Sequence, residues 1–393
     1  MKILLGVTGC VALYKVVGLV SSLRKAGNEL VVVMTQSAEK LVSKDLFSAV
    51  GNCPVYTDKD AFDIKNGWIP HTELSKWPDV LVVAPATANT IAKIANGIAD
   101  NLLTMVCLAY AGKSKLVVPA MNVRMYENPV TQRNIQTLRE LGWWVLEPSE
   151  GHLACGEYGK GRYPENEVVE EAIKILATEK KLSGMKLLIT AGPTWEPIDP
   201  VRIISNRSSG KMGYELAKVA TRMGAKVTLI SGPSCLKPPY FVEEFVKVKS
   251  SDQMYEEVVK RFDKADAVIM AAAVADYKPS FVSTEKIKKG SDTLVLTLEK
   301  TKDILSELGK RKGKRILVGF AVETSNLEEY AKTKLVSKNL DMIVANDVSA
   351  MGSEKNLVVI FKSDGTSKRV GPDDKENIAF AILDELSLFW NRS

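Results

Sequence analysis

The stretch KILLGVTGCVALYK, residues 2–15, decides the predicted fold of the first half of this chain, and KLLITAGPTWEPIDPVRIISNRSSGKMGYELAKVA, residues 186–220, decides that of the second. Each begins with an apolar run typical of a buried strand, continues through a loop rich in small residues and ends in a helical pattern. Such a turn directs backbone N–H groups and a helix N-terminus at an anion. Two chemically different turns predict two phosphate or nucleotide sites, and therefore an enzyme with two steps.

Short apolar runs alternate with helical patterns on both sides of these turns. Unbroken runs rich in Val, Leu and Ile are typical of parallel strands that are covered on both faces. In the first half the predicted strands are Lys2–Val7, Glu29–Met34, Val80–Ala84 and Lys115–Pro119, and the predicted helices are Val11–Ala26, Ala88–Ala111 and Thr131–Leu141. In the second half the predicted strands are Lys186–Thr190, Lys226–Ile230, Asp266–Ala271, Arg315–Phe320 and Asp341–Ala345, followed by a hairpin that begins at Leu357 and a last helix, Lys375–Trp390.

The polar stretch TEKKLSGM, residues 178–185, carries no apolar period and separates the two halves. We therefore predict an α/β protein with two doubly wound, mainly parallel sheets, in domains 1–180 and 185–393. In such sheets ligands bind at the carboxyl ends of the strands.

Composition limits the function classes. The chain has 393 residues and a net charge of +6, without the basic block that nucleic-acid binding would favour. The five cysteines form no CxxC pair, which argues against a disulfide framework or a zinc site. We expect no signal peptide and no membrane span, and a cytoplasmic location fits best.

The first-half loop does not fit a nicotinamide dinucleotide. Residues 6–12, GVTGCVA, lack the GxGxxG pattern, and the second strand ends without an acid to hold a ribose. Hydroxyls at Thr35 and Ser37 suit a single phosphate and a polyol, as in FMN, although they fit a hydrogen-bonded turn equally well.

Further polar motifs follow the predicted strands. In PATANT, residues 85–90, Thr87 and Asn89 can cap a helix or reach a ligand. Asn122 of PAMN, residues 119–122, can bind a carboxylate or cap a helix, and His71 lies just upstream of the third strand. The glycine-rich HLACGEYGKGR, residues 152–162, can close as a flap, where Cys155 is either a proton donor or a buried thiol.

Together these motifs resemble those of the flavin-dependent cysteine decarboxylases, over roughly residues 1–175. The resemblance implies a flavodoxin-like flavoprotein domain with FMN. Its substrate would be 4'-phosphopantothenoylcysteine, whose thiol is oxidised to a thioaldehyde so that the carboxylate leaves as CO2. His71 would be the catalytic base, Asn122 would hold the carboxylate and Cys155 would donate a proton. The predicted FMN-binding residues are Gly9, Cys10, Thr35, Ser37, Thr87, Asn89 and Met121.

The second-half loop lacks the Walker lysine pattern of a P-loop NTPase. Asn206, ahead of a predicted helix, can hydrogen-bond a reacting oxygen or cap the helix. Asp276 follows a buried strand and can contact a nucleotide. Phe320 can stack on a base or pack in the core. Lys334 and Lys338 lie four residues apart and would share one helix face, as phosphate ligands or as solvated charges.

These features resemble the phosphopantothenate–cysteine ligases across roughly residues 186–393. The resemblance implies a Rossmann-like domain that activates 4'-phosphopantothenate with CTP as an acyl-cytidylate, from which the cysteine amine displaces CMP. Asn206 would stabilise the acyl-cytidylate. Magnesium is implied by the triphosphate, and no carboxylate cluster predicts its ligands. The predicted nucleotide-binding residues are Ala273, Asp276, Lys286, Lys302, Asp303, Ile304, Leu305, Phe320, Lys334 and Lys338.

The two halves in this order resemble the bifunctional enzyme family of coenzyme A biosynthesis. That implies small-molecule substrates (4'-phosphopantothenate, cysteine and CTP), a homo-oligomer with flavin sites between subunits, and no nucleic-acid or membrane partner. Two alternatives stay open. A tandem nicotinamide oxidoreductase would purify without flavin, and a regulatory binding protein on the same scaffold would not need His71, Asn122 and Cys155 together.

Overall fold

The structure is a computed structural model that describes residues 1–64, 67–153, 156–288, 293–323, 327–347 and 355–390. The chain divides into two compact units, Met1–Thr178 and Glu179–Ser393. Leu182, just after the division, is fully buried in the core of the second unit. Within the described ranges, no helix is both long and apolar enough to cross a membrane.

The first unit contains a six-stranded parallel sheet in the order β3-β2-β1-β4-β5-β6. Without the three-residue edge strand β3, this is the 2-1-3-4-5 order of flavodoxin. The strands are β1 (Lys2–Val7), β2 (Glu29–Met34), β3 (Val55–Thr57), β4 (Val80–Ala86), β5 (Lys115–Pro119) and β6 (Trp144–Val145).

Helices cover both faces of this sheet. The β1 residues Ile3, Leu5 and Val7 pack in the core that contains α1, α3 and α9, and Leu4 packs in the core that contains α4, α5, α6 and α8. The helices are α1 (Leu13–Lys25), α2 (Gln36–Glu39), α3 (Lys44–Gly51), α4 (Pro70–Lys76), α5 (Ala88–Ala95), α6 (Leu102–Ala109), α7 (Val123–Glu127), α8 (Pro129–Glu140) and α9 (Asn166–Ala177). An antiparallel hairpin joins β7 (Ser149–His152) and β8 (Tyr158–Arg162).

The single helix predicted over Ala88–Ala111 is wrong, because two helices occupy this stretch. Gly97 adopts a left-handed conformation, with φ of 69°, just after α5. Asn101 then forms a capping box with Thr104 and begins α6.

The second unit contains an eight-stranded sheet in the order β13-β12-β9-β14-β17-β18-β19-β20. Its first six strands are parallel, and β19 and β20 add the predicted antiparallel hairpin. The strands are β9 (Lys186–Ala191), β12 (Lys226–Ser231), β13 (Glu244–Lys247), β14 (Ala267–Met270), β17 (Ile316–Glu323), β18 (Met342–Asp347), β19 (Lys355–Lys362) and β20 (Ser367–Asp374). The two-stranded pairs are β10 (Trp195–Pro197) with β11 (Ile203–Ser205), and β15 (Tyr277–Pro279) with β16 (Leu298–Lys300).

Helices again lie on both faces of the sheet. Apolar residues of α10 and α14 pack on one face, and those of α11, α12 and α13 pack on the other. The helices are α10 (Lys211–Arg222), α11 (Ser251–Phe262), α12 (Ile304–Lys310), α13 (Leu327–Ser337) and α14 (Lys375–Trp390). The predicted class, α/β with two doubly wound and mainly parallel sheets, is confirmed.

Candidate active sites

In the first unit, loops from three strands meet at the carboxyl edge of the sheet. Thr8, directly after β1, donates a hydrogen bond from Oγ1 to the carbonyl of Pro85 at 2.6 Å and accepts one from the N–H of Thr87 at 3.1 Å. A β-carbon on Gly9 would stand only 2.5 Å from the β-carbon of Ser37. The predicted residues Gly9, Ser37 and Thr87 therefore lie on adjoining loops, around a backbone that only glycine permits at position 9.

A residue that the sequence analysis missed orders one of these loops. Asp58 accepts the N–H of Gln36 and the N–H of Leu102, each at 3.1 Å. It thereby links the turn between Thr35 and Ser37 to the N-terminus of α6. The sequence showed only an acidic residue soon after an edge strand. It did not indicate which backbone N–H groups would donate to that carboxylate.

Two of the predicted ligand residues also act as helix caps. Thr87 accepts the N–H of Thr90 at 3.3 Å, and Asn122 accepts the N–H of Arg124 at 2.8 Å. Capping occupies the Asn122 carbonyl oxygen, and the amide nitrogen of Asn122 donates to Glu157. Arg124 pairs with the same carboxylate at 3.2 Å. The Glu157 carboxylate thus contacts both the Asn122 amide and the Arg124 guanidinium in this structure.

The β7–β8 hairpin packs directly against the loop after β5. The N–H of Met121 donates to the carbonyl of Gly161 at 3.0 Å, and a β-carbon on Gly161 would come within 2.4 Å of the Met121 carbonyl oxygen. This contact places the hairpin, the predicted flap, beside Asn122. Cys155 lies outside the described residues.

His71 and Cys10 differ in their surroundings. His71 is the second residue of α4 and is half-buried, and its Nδ1 is buried without a hydrogen-bond partner in the part of the chain that the structure describes. A buried ring nitrogen without a partner fits a group that meets a ligand. Burial raises the pKa of the Cys10 thiol, which therefore stays protonated at neutral pH.

In the second unit, a cavity of about 710 Å³ gathers most of the predicted ligase residues. Lys286 is the predicted nucleotide residue that does not line it. Its neighbour Ile287 is held instead by Asp199 and Arg202, at 3.2 and 2.7 Å. The predicted residues that line the cavity are Asn206, Ala273, Asp276, Lys302, Asp303, Ile304, Leu305, Phe320, Lys334 and Lys338.

The N-terminus of α10 opens into this cavity. Gly210 precedes the helix with φ of 80°, and a β-carbon there would approach the backbone of Gly192 to 3.0 Å. The amide of Asn206 donates to the carbonyls of Ala273 and Val274, at 3.3 and 3.1 Å. Asn206 therefore fixes the loop after β14 against the loop that precedes α10.

Lysine side chains supply positive charge along another wall. Lys334 donates to the carbonyl of Phe320 at 3.0 Å, and Lys338 pairs with Asp303 at 2.9 Å. Burial alone would raise the pKa of Asp303, but the N–H of Ser306 and the Lys338 ammonium lower it overall. The Asp303 carboxyl group is therefore ionised at neutral pH, beside the Lys338 side chain.

Several lining residues escaped the sequence analysis. They are polar side chains from a loop, from strands and from helix starts: Arg207, Lys211, Lys300, Asn346, Asn356 and Lys375. The only sequence signal was the position of Lys211 and Lys375 at predicted helix starts. Among the described residues, no group of three or more His, Cys, Asp or Glu side chains could hold a metal ion.

Two family models match the chain. The flavoprotein family model covers residues 1–177, and the model of the DNA/pantothenate metabolism flavoprotein C-terminal domain covers residues 182–389. The chain is 47% identical over 394 residues to the coenzyme A biosynthesis bifunctional protein CoaBC of Bacillus subtilis (strain 168), covering 98% of this chain and 96% of that protein. It is 40% identical over 394 residues to the protein of the same name from Escherichia coli (strain K12), covering 98% and 96%.

Among solved structures, the crystal structure of the C-terminal domain of coenzyme A biosynthesis bifunctional protein CoaBC is similar. Its identity to this chain is 44%, the match covers 55% of this chain and all of that domain, and the TM-score is 0.49.

Proposed function

The chain belongs to the family of coenzyme A biosynthesis bifunctional proteins, and from that premise we propose how its residues divide the work between two reactions. It is a bifunctional decarboxylase and ligase that serves consecutive steps of coenzyme A biosynthesis, and its first unit is a flavoprotein that uses FMN. The regulatory alternative is not favoured. The substrates' finer identity, the residue roles and the metal are our proposal.

We assign the ligase to residues 185–393, where 4'-phosphopantothenate reacts with CTP and then with cysteine. A carboxylate does not acylate an amine until its oxygen becomes a good leaving group, and attachment of CMP provides one. The cavity of about 710 Å³ is the observation that carries this assignment, because it gathers Asn206, Asp276 and Phe320 with Lys334 and Lys338. The lysines offset the triphosphate charge. Magnesium would enter with the nucleotide, bound chiefly by phosphates and water.

We assign the decarboxylase to residues 1–180. The absence of a side chain at Gly9 lets the loop after β1 approach Ser37 closely, and this loop would hold the phosphate end of FMN through backbone N–H groups. Thr35, Thr87, Asn89 and Met121 would surround the rest. FMN, when bound, supplies the electron acceptor for oxidation of the substrate thiol. His71 would move the proton, since its Nδ1 lacks a partner within the described ranges, and Asn122 would hold the carboxylate. Cys155 stays the proposed proton donor from sequence alone.

A homo-oligomer and a cytoplasmic location complete the proposal. Val11 and Tyr14, beside the predicted flavin loop, are 64% and 66% exposed, and a second copy of the chain would cover them. The described cysteines Cys10, Cys53, Cys107 and Cys235 are free thiols, which fits a reducing compartment.

One experiment tests both assignments. Purified protein is incubated with 4'-phosphopantothenate, cysteine and either CTP or ATP, while pyrophosphate and CO2 are followed separately and the flavin absorbance is recorded. We expect pyrophosphate with CTP, then CO2 from flavin-containing protein. A colourless protein that does not take up FMN would refute the decarboxylase assignment, and absence of pyrophosphate with CTP would refute the ligase assignment.

A further inference from the structure

One end of the ligase cavity is lined by polar residues that the proposed nucleotide site does not use. Lys211 and Lys375 are the first residues of α10 and α14, two helices that pack on the same face of the sheet. Asn346 lies in β18 and Asn356 in the neighbouring strand β19. Two helix N-termini and two amide side chains therefore line the same cavity, and Asn356 pairs with Asp373, two residues before Lys375.

The two asparagines present hydrogen-bond acceptors to which no described residue donates. The Oδ1 atoms of Asn346 and Asn356 are buried and have no hydrogen-bond partner within the described segments. Asn356 is only 4% exposed. Buried polar atoms are almost always paired in folded proteins, so two unpaired oxygens in one cavity wall indicate that a ligand supplies the missing N–H donors.

The two lysine side chains are hydrogen-bond donors, whereas the two asparagine oxygens are acceptors. Neither Lys211 nor Lys375 forms a salt bridge with any residue that the structure describes. Burial and the nearby charge of Lys211 lower the pKa of Lys375, and Glu215 offsets part of this effect. Two neighbouring ammonium groups at two helix N-termini favour an anion, because the helix dipoles add to their charge. The subsite is therefore complementary to a ligand that carries both N–H donors and a negative group.

We propose that this subsite binds the amino acid substrate of the ligase, with the cysteine carboxylate on Lys211 and Lys375 and the cysteine α-amino group on the Oδ1 atoms of Asn346 and Asn356. The inference rests on the proposed ligase function. A phosphate or a carboxylate group alone would satisfy the lysines but has no N–H donor for the asparagines; 4'-phosphopantothenate, which also carries an amide N–H and a hydroxyl, is the competing ligand that the test distinguishes. A free amino acid has both groups.

The arrangement also orients the nucleophile. A neutral amine has two N–H bonds and one lone pair. Two acceptor oxygens take the N–H bonds and leave the lone pair directed away from the wall, toward an activated acyl group. The nitrogen–carbon bond forms as the bond from the acyl carbon to the CMP oxygen breaks; CMP departs with that electron pair, and the nitrogen releases one proton to water.

The test separates the two half-reactions, since cysteine takes part only in the second. In Asn356→Leu and Lys375→Gln, pyrophosphate release from CTP and 4'-phosphopantothenate without cysteine stays within about twofold of wild type, while the KM for cysteine rises about tenfold or more. Asn356→Asp retains an acceptor oxygen, so its cysteine KM stays within about threefold of wild type. It also serves as the folded variant should Asn356→Leu fail to fold.

Cysteamine, which lacks the carboxylate, isolates the role of the lysines. Wild type prefers cysteine, and Lys375→Gln reduces that preference about tenfold, because only cysteine loses a charge-assisted bond. Asn377→Leu on the exposed side of α14 and Lys310→Gln at the exposed end of α12 are matched controls, both expected to behave as wild type.

A raised KM for 4'-phosphopantothenate with an unchanged KM for cysteine would overturn the inference and assign the subsite to the acid. A raised 4'-phosphopantothenate KM in Asn356→Asp with an unchanged KM for cysteine would also count against it, since the added negative charge would then repel a phosphate that occupies the subsite. Failure of wild type itself to release pyrophosphate would instead refute the ligase proposal.

Discussion

Gly9 and Ser37 approach so closely that a β-carbon on Gly9 would lie 2.5 Å from the Ser37 β-carbon and 2.9 Å from its carbonyl carbon. Gly9 lies in the loop after β1, and Ser37 lies in the short helix α2 that follows β2. Their contact sets the width of the proposed phosphate cradle, because neither segment can move away without disturbing the strand that precedes it.

Gly9→Ala is therefore expected to weaken FMN binding about tenfold or more, since the added methyl group forces the two loops apart. Fluorescence titration of apoprotein with FMN measures the loss. Gly18→Ala within α1 is the matched control, because its β-carbon meets only the Asn166 amide, at 3.3 Å. Equal FMN affinity in Gly9→Ala and wild type would rule out this loop as the phosphate site.

His71→Asn is expected to abolish most CO2 release, by about 100-fold or more, while the flavin spectrum stays that of wild type. The reason is that the buried Nδ1 of His71 has no hydrogen-bond partner among the residues that the structure describes and can meet a substrate proton, whereas Asn cannot exchange a proton near neutral pH. His152, the other histidine of the chain, supplies the control variant His152→Asn, expected within about threefold of wild type. Undiminished CO2 release from His71→Asn would remove His71 from catalysis.

Glu157 occupies the Asn122 amide that is proposed to hold the substrate carboxylate. Glu157→Gln is expected to lower the KM for 4'-phosphopantothenoylcysteine about threefold without raising kcat, because a neutral amide competes less well than a carboxylate for Asn122 and Arg124. Steady-state CO2 release measures it, with Glu150→Gln on the same hairpin as control. A higher KM in Glu157→Gln would show that Glu157 assists binding.

The sequence predicted the strands of the two main sheets better than the short elements around them. Runs such as Lys2–Val7 and Glu29–Met34 coincide with β1 and β2, because strands buried on both faces must be continuously apolar. The pairs β10–β11 and β15–β16 were not predicted, since three-residue strands with mostly exposed side chains leave no such run. The break between α5 and α6 was missed because apolar spacing continues through it.

Motifs at strand ends and helix starts allowed site residues to be predicted. Residues whose role depends on contacts between distant segments were not predicted. Asp276 follows a predicted strand, Phe320 ends one and Asn206 precedes a predicted helix, and the structure brings all three into one cavity. Asp58 and Asn356 are individually ordinary residues, and only the fold shows what each faces. Their importance depends on partners far away in the chain, which periodicity does not encode.

Lys334 and Lys332 lie on the same helix, and only Lys334 lines the ligase cavity. Lys334→Met is expected to raise the KM for CTP about tenfold or more, because a charge-assisted phosphate contact is lost, and Lys332→Met by less than about twofold. Lys332 is exposed and pairs with Glu328 at 2.6 Å. Pyrophosphate release at varied CTP measures both. Equal effects of the two variants would show that general surface charge, and not a defined contact, attracts the nucleotide.

Glu385 joins α14 to the hairpin β19–β20, because its buried carboxylate pairs with Lys362 at 2.9 Å and Lys368 at 2.7 Å. Burial by itself would raise the pKa of Glu385, but the two ammonium groups lower the pKa overall, below that of the unfolded chain. A lowered folded-state pKa adds stability above the unfolded pKa, near 4.3, and that stability is lost as the pH falls through the folded value.

Glu385→Gln is accordingly expected to reduce the free energy of unfolding by about 1–3 kcal/mol at pH 7. The amide oxygen still accepts hydrogen bonds from the two ammonium groups, but the attraction between opposite charges is lost. The difference from wild type should hold down to about pH 5 and shrink below about pH 4, as the wild-type carboxylate takes up its proton. Urea unfolding of the full chain across this range measures it. The exposed pair Glu328–Lys332 gives the control Glu328→Gln, with a change below about 1 kcal/mol at every pH. A deficit in Glu385→Gln that persists undiminished at pH 3 would mean that side-chain packing, and not the ionised carboxylate, holds α14 on the hairpin.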